Sequence, residues 1–194
     1  MANSTSITYR LKRKILSFTN KISLSLSKPD RKFTADMVYG ILSSKSCLLT
    51  DISDQLHESS RKANTVKRLS NHLAAGTPAS AAASYLRTVK KLVPSEPVVL
   101  IDESDVVKPD GKQFESLGIV RDGSESTQTK NVYKKGYHVT EACALTAHKH
   151  PISVFSRIHS SAEKDYKSVN TITFDAIKQA AALFGKATFV MDRS

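Results

Sequence analysis

Two short apolar runs that each end in an aspartate constrain the fold of this chain more than any other feature. They are Val98-Val-Leu-Ile-Asp102 and Ala187-Thr-Phe-Val-Met-Asp192. Short runs without polar alternation are typical of strands that are buried on both faces of a sheet. Strands of this kind need helices to cover them, so the second half of the chain is predicted to be an α/β or α+β domain.

The residues between these runs supply the remaining elements. Residues 137–147 and 152–158 alternate as strands around a turn at His150-Pro151. Residues 170–184 predict a helix that ends at Gly185, with its buried side formed by Phe174, Ile177, Ala181 and Leu183. The predicted order is therefore strand, strand, strand, helix, strand.

The first half predicts helices only. Helical spacing of apolar residues recurs in segments 9–24, 33–42, 47–56, 65–73 and 79–92, and Pro94 and Pro97 end the helical character. We therefore expect an all-helical domain over residues 1–93 and a mixed-sheet domain over residues 97–194.

Segment 47–73 suggests a helix-turn-helix, in which the second helix lies in the major groove of DNA. Four of its side chains would then offer donors to bases or phosphates: Lys67, Arg68, Asn71 and His72. An ordinary pair of antiparallel helices is the alternative, because the polar junction is longer than the usual turn of the DNA-binding motif.

The positive charge is confined to the helical half. Residues 1–92 hold 16 Lys and Arg against 5 Asp and Glu, whereas residues 93–194 hold 13 of each. Such a distribution indicates binding to the phosphate backbone of DNA, although a solvated basic face is the alternative. The first amphipathic helix carries part of this charge: Arg10, Lys12, Arg13 and Lys14.

Several classes of protein are disfavoured by the sequence. No stretch approaches the roughly 18 apolar residues of a membrane helix, and the polar N-terminus lacks the features of a secretory signal, so a cytoplasmic protein is expected. Cys47 and Cys143 lack metal-binding spacing and are predicted to be reduced core residues. His138 and His159 are predicted to be surface or sheet-edge residues, not metal ligands.

The two strand-terminal aspartates suggest metal chemistry. Carboxylates suit Mg²⁺ or Mn²⁺, and phosphodiester chemistry commonly uses two such ions about 3.5–4 Å apart. Asp102 and Asp192 would be the bridging ligands. Asp105 is the rival for the first role, but along a strand it would point to the opposite face from Asp102.

The second half also resembles the DDE transposases of bacterial insertion sequences, which have a ribonuclease-H-like catalytic domain. The resemblance rests on Val99-Leu-Ile-Asp-Glu-Ser-Asp-Val-Val-Lys-Pro109, on Glu115-Ser-Leu-Gly-Ile-Val-Arg-Asp-Gly-Ser124, on Gly136-Tyr-His and on Phe189-Val-Met-Asp-Arg193. It extends over roughly residues 97–194 and is thinner in the first half.

The resemblance implies a function and a site. Asp102 matches the first metal-binding aspartate and Asp192 the second, and Arg193 would hold a DNA phosphate or pair with a carboxylate. The implied activity is Mg²⁺- or Mn²⁺-dependent nicking and strand transfer at transposon ends. The implied partners are those DNA ends and a second copy or a full-length transposase, and the implied location is the bacterial nucleoid.

One departure from the family bears on activity. Ser194 stands where the family usually has Gly, and the sequence lacks the helix that would bring the catalytic glutamate, so a truncated and inactive enzyme is expected. Two alternatives remain open. One is a non-catalytic DNA-binding regulator that competes with full-length transposase, and the other is a metal-dependent phosphohydrolase that uses Asp102.

Overall fold

A computed structural model describes the backbone of residues 2–192 and the side chains of residues 9–192. The chain divides into two compact units, residues 1–88 and residues 89–194. The division falls within the last helix of the first half, a few residues before Pro94. Together the described residues form six helices and one mixed five-stranded sheet.

The helical unit contains α1 (Ala2–Ile22), α2 (Lys28–Ser44), α3 (Leu49–Leu56) and α4 (Lys62–Ala75), and α5 (Ala79–Lys90) crosses the division. Local signals set the bounds of α2. At its start, the Ser27 side chain accepts a hydrogen bond from the Asp30 backbone N–H, and Pro29 occupies the first turn. At its end, Lys45 adopts the left-handed conformation and its N–H donates to the Ile41 carbonyl.

Helices α2, α3 and α4 meet around a small apolar core. Phe33, Ile52 and Leu69 contribute one buried side chain from each helix, and four half-buried residues pack around them: Met37, Ile41, Leu49 and Leu56. Gly40 of α2 lies directly against Ile52, because a Cβ at Gly40 would be 2.4 Å from the Ile52 Cγ2. A glycine at this position therefore sets how closely α2 and α3 approach.

The sheet unit contains β1 (Val98–Val107), β2 (Gly118–Arg121), β3 (Tyr133–Leu145), β4 (Pro151–His159), α6 (Val169–Phe184) and β5 (Thr188–Met191). Strand β3 pairs antiparallel with β1 along one edge, and with β2 and β4 along successive parts of the other. Strand β5 pairs parallel with the far edge of β1. The strand order is therefore β4, β3, β1, β5, with β2 beside the start of β3.

Helix α6 covers one face of this sheet. Its buried residues are Ile172, Ala176 and Ala180, and the Gln179 side chain donates to the Val154 carbonyl of β4 at 2.6 Å. Buried Val99 and Ile101 of β1 lie beneath α6, together with the residues that pair with them on β3, Ala144 and Ala142. We call this side the helix face and the other side the open face.

The structure corrects several expectations from the sequence. Strand β1 continues five residues beyond Asp102, because β3 pairs with it as far as Val107, and β2 was not predicted. Leu100 is 37% exposed because no described element of the sheet unit covers the open face, so β1 is not buried on both faces within this unit. Phe174 is 60% exposed, since α6 buries its small residues against the sheet instead. Cys47 is exposed and not a core residue.

Other expectations are confirmed. Helix α6 begins after Ser168, and Gly185, with a φ of 81°, ends it by donating its N–H to the Ala181 carbonyl. Both cysteines are free thiols. Among the described helices, none combines the length and the apolar character that crossing a membrane would require.

We expect Gly40→Ala to destabilise the helical unit by about 1–2 kcal/mol. The new methyl group would overlap the side chain of fully buried Ile52, and the cost of overpacking exceeds the roughly 1 kcal/mol that alanine gains in helix propensity. Urea unfolding followed by helical circular dichroism measures the change. Ser43→Ala, at an exposed position of the same helix, is the control and should change stability little. If the Gly40→Ala protein is as stable as the wild type, α2 and α3 can move apart without cost and the close contact at Gly40 is not required.

Candidate functional site

The strands that lead to Asp102 and Asp192 are neighbours. The parallel register of β1 and β5 ends at Ile101 opposite Met191. Asp102 and Asp192 each follow by one residue, so they lie at the same level of the sheet. Because side chains alternate along a strand, both belong to the open face. Both residues are exposed.

A third carboxylate belongs to the same row. Glu141 of β3 is in register with Asp102 across the antiparallel pair, and registered residues share a face. The row therefore runs Glu141, Asp102, Asp192 over three adjacent strands. Sequence reasoning missed Glu141, because the alternation of β3 does not reveal its register with β1.

Cys143 is the apolar neighbour of Glu141 on the open face. Its thiol donates to the Glu141 Oε1 at 3.8 Å. Burial raises the pKa of the Cys143 thiol, and the Glu141 carboxylate raises it further. The thiol is therefore held in its protonated form, which makes it a poor nucleophile and a poor metal ligand.

The oxygen donors of this row suit Mg²⁺ or Mn²⁺ by their chemistry. Within residues 9–192, however, no three acidic, histidine or cysteine side chains are arranged as a ready metal site. Asp102 and Asp192 are exposed and Glu141 is half-buried, so rotation of their side chains costs little. The backbone thus places the three donors in a row, and their side chains do not converge on one point.

Asp105, the alternative first metal ligand, and two further glutamates make contacts with other groups. Asp105 lies on the helix face, as expected from strand alternation, where its carboxylate contacts the His138 Nδ1 at 2.7 Å. Glu103 accepts a hydrogen bond from Thr173 of α6 at 3.1 Å. Glu163 accepts one from the Ser160 backbone N–H at 2.9 Å. Arg193 lies outside the described residues.

In the helical unit, α3 and α4 are joined by residues 57–61, with His57 in the left-handed conformation. An ion network behind α4 fixes its orientation. The Arg68 guanidinium donates to Asp36 at 2.7 Å and to Glu58 at 3.0 Å, and Lys32 contacts the same two carboxylates at 2.7 and 2.5 Å. The hydrogen bond from Lys32 lowers the pKa of Glu58 to about 2, so this carboxylate stays charged across the neutral range.

His72 is also directed towards α2. Its ring stacks on Phe33 with centroids 4.9 Å apart, and its Nε2 lies 3.6 Å from the Asp30 carboxylate. Of the four α4 residues predicted to contact DNA, Arg68 and His72 therefore hold α4 against α2. Lys67 and Asn71 lie on the other side of the helix and are exposed.

A third polar residue, Asn64, completes this exposed side of α4. Asn64, Lys67 and Asn71 follow at intervals of three and four residues, which places them on one helix face about 10 Å long. Within the described part of the chain, no hydrogen bond or ion pair engages these three side chains. Asn64 could have been predicted from its spacing once the extent of α4 was known. We call this set the α4 polar face.

The predicted basic residues of α1 are all exposed. Arg10, Arg13 and Lys14 extend into solvent, and the Lys12 ammonium lies over the Tyr39 ring of α2, 4.7 Å from its centroid. Ile15 and Ile22 form the buried side of α1. The helix therefore presents its charge outward, as a phosphate-binding surface requires.

Comparison with known proteins adds no further information about the site. No protein family, no curated protein and no solved structure gives a significant match to this chain.

Proposed function

We propose that this chain belongs to a DNA-transposing enzyme with a ribonuclease-H-like catalytic domain. Its helical unit binds DNA, and its sheet unit supplies carboxylates for metal-dependent strand cleavage and transfer. One observation carries the proposal: Asp102 and Asp192 lie at the same level of two neighbouring parallel strands and on the same open face. This is the arrangement that the resemblance to the DDE transposases implies for the first two metal ligands.

The topology supports the same proposal. Strand β5 follows β4 through α6 and pairs with β1, which is the far side of the sheet from β4. A crossover of this kind brings two acidic residues together that are 90 positions apart in sequence. In the ribonuclease-H-like fold that the resemblance implies, the first strand and the strand after the helix are likewise neighbours.

Asp102 and Asp192 would hold the ion, and Glu141 is in reach as a third oxygen donor from β3. When bound, Mg²⁺ or Mn²⁺ would lower the pKa of a water molecule and stabilise the leaving oxygen of the phosphodiester. The carboxylates themselves orient the site, and their position on an uncovered sheet face leaves room for a DNA backbone. The apolar side chains of Leu100 and Val190 flank the row on this face.

DNA binding is assigned to the α4 polar face and to the basic residues of α1. Asparagine can make paired hydrogen bonds to adenine in the major groove, and lysine contacts phosphate or guanine. The ion network of Arg68, Lys32, Asp36 and Glu58 fixes α4 on its opposite side, so the polar face is presented in a single orientation.

A second candidate is a DNA-binding regulator without catalytic activity. The observation that favours it is that the described carboxylates do not converge as a metal site, whereas the excess positive charge lies entirely in residues 1–92. The two candidates agree on DNA binding and differ only in strand cleavage.

We expect Lys67→Ala to weaken binding to duplex DNA and to lower the slope of log affinity against log salt by about one, as loss of one phosphate contact does. Asn71→Ala should instead reduce discrimination between base sequences, by about 1–3 kcal/mol at one base pair. Gel shifts at several salt concentrations measure both changes. Lys178→Ala, at an exposed position of α6, is the control. If both Lys67→Ala and Asn71→Ala bind like the wild type, α4 is not the DNA-binding helix.

Nicking of supercoiled plasmid with Mg²⁺ or Mn²⁺ tests the catalytic proposal. The sequence led to the expectation of an inactive enzyme; if Glu141 supplies the third oxygen donor, we expect metal-dependent nicking instead. Asp102→Asn and Asp192→Asn should each abolish it, and Asp105→Asn is the matched control because that carboxylate lies on the helix face. Salt-sensitive DNA binding without nicking would favour the regulator. Turnover of a small phosphoester without DNA binding would favour a phosphohydrolase and contradict both candidates.

A further inference from the structure

His159 is fully buried although it ends β4, an edge strand of the sheet. This position was expected to be at the surface or at a sheet edge. Its ring stacks between two others: the centroid of His138 is 5.7 Å away and that of Tyr166 is 6.1 Å away. Tyr166 belongs to segment 160–168, which joins β4 to α6. The segment therefore covers His159 and removes it from solvent.

The hydrogen bonding of His159 is incomplete. Its Nε2 is 2.9 Å from the Thr140 Oγ1, whereas its Nδ1 is buried without a partner among the described residues. A neutral imidazole tolerates this arrangement, because Nε2–H donates to Thr140 and Nδ1 remains an unused acceptor. A protonated ring would carry a second N–H at Nδ1 with nothing to accept it, which is costly in a buried site.

The charged groups around His159 do not remove this cost. Burial is the main factor that lowers the pKa of His159, and His138 and Arg157 lower it further, against the opposing effect of Glu103 and Glu163. Both of those carboxylates already accept hydrogen bonds, Glu103 from Thr173 and Glu163 from the Ser160 N–H. Two further carboxylates are engaged by other groups: Asp105 contacts the His138 Nδ1, and Asp175 of α6 lies 4.0 Å from Arg157.

Besides the Tyr166 stacking, segment 160–168 has a side-chain ion pair with the sheet, between Glu163 and Arg157 of β4 at 3.6 Å. Ser160 is buried, donates its N–H to Glu163 and accepts one hydrogen bond from the Ala162 N–H. The Tyr166 ring on His159 is the aromatic contact of this segment. Loss of that contact would therefore leave the partly exposed ion pair of Glu163 with Arg157 as the side-chain attachment of the middle of the segment to β4.

We propose that His159 is a proton-sensitive latch: its neutral ring holds segment 160–168 against the sheet, and uptake of a proton releases the segment. The direction of the pH effect follows from the coupling between proton binding and opening of the segment. A histidine with a pKa below its ordinary value in the closed state binds a proton more tightly when the segment is open. The latch is thus fully closed above the ordinary histidine pKa of about 6.5 and opens as the pH falls below it. This inference is independent of DNA binding and of metal binding.

Hydrogen exchange of the backbone amides of residues 161–167, corrected for intrinsic rates, tests the latch between pH 7.5 and 5. We expect exchange in the wild type to increase by up to tenfold for each pH unit below about 6.5, as uptake of one proton dictates. His159→Phe keeps a stacked ring and removes the titrating group, so its exchange should be nearly independent of pH. His148→Phe, at an exposed turn position, is the control and should behave like the wild type.

An unchanged pH dependence in His159→Phe would overturn the proposal, as would pH-independent exchange in the wild type. If His159→Phe does not fold, imidazole resonances of the wild-type protein decide. His159 should titrate below about 6.5 and lose its contacts with Tyr166 over the same range. Titration near 6.5 with the Tyr166 contacts retained would show that His159 holds no latch.

Discussion

The pairing of β1 with strands of opposite direction on its two edges is the interaction on which the sheet unit depends. Strand β3 pairs with β1 in antiparallel register over nine residues, and β5 pairs with β1 in parallel register over four. The two registers overlap at Val99, Leu100 and Ile101 of β1. They fix which side chains share a face, so Glu141, Asp102 and Asp192 form a row and Asp105 faces away. A shift of one residue in either register would remove one carboxylate from that row.

The helical unit depends on a different constraint, the ion network between α2 and α4. Buried Phe33, Ile52 and Leu69 bring the helices together without fixing how α4 rotates about its axis. Arg68 and His72 do so, because both contact acidic residues of α2. Two residues with DNA-binding chemistry are thereby used within the fold, and the opposite side of α4 is left with Asn64, Lys67 and Asn71. Polar and basic side chains therefore stabilise the fold on one face of α4, and those on the other face are available to bind a ligand.

Much of the architecture was predictable from residue patterns. The alternation of β3, the end of α6 at Gly185, and the opposite directions of Asp102 and Asp105 all followed from local rules. The buried side of α6 did not, because Phe174 fits a helical period equally well on either side, and only the close approach of Ala176 and Ala180 to the sheet decides it. The role of Glu141 in the row and the burial of His159 were missed for a related reason. Their surroundings are set by strand register and by a covering segment, which are long-range features that single-sequence periodicity does not encode.

We propose that the parallel register of β1 and β5 brings Asp102 and Asp192 within reach of one divalent ion. Paramagnetic broadening of backbone amide resonances on titration with Mn²⁺ tests this proposal. We expect early broadening around residues 101–103, 140–142 and 190–192, lost in both Asp102→Asn and Asp192→Asn and kept in Asp105→Asn. Broadening centred on Asp105 and His138, or broadening that neither Asp102→Asn nor Asp192→Asn changes, would contradict it.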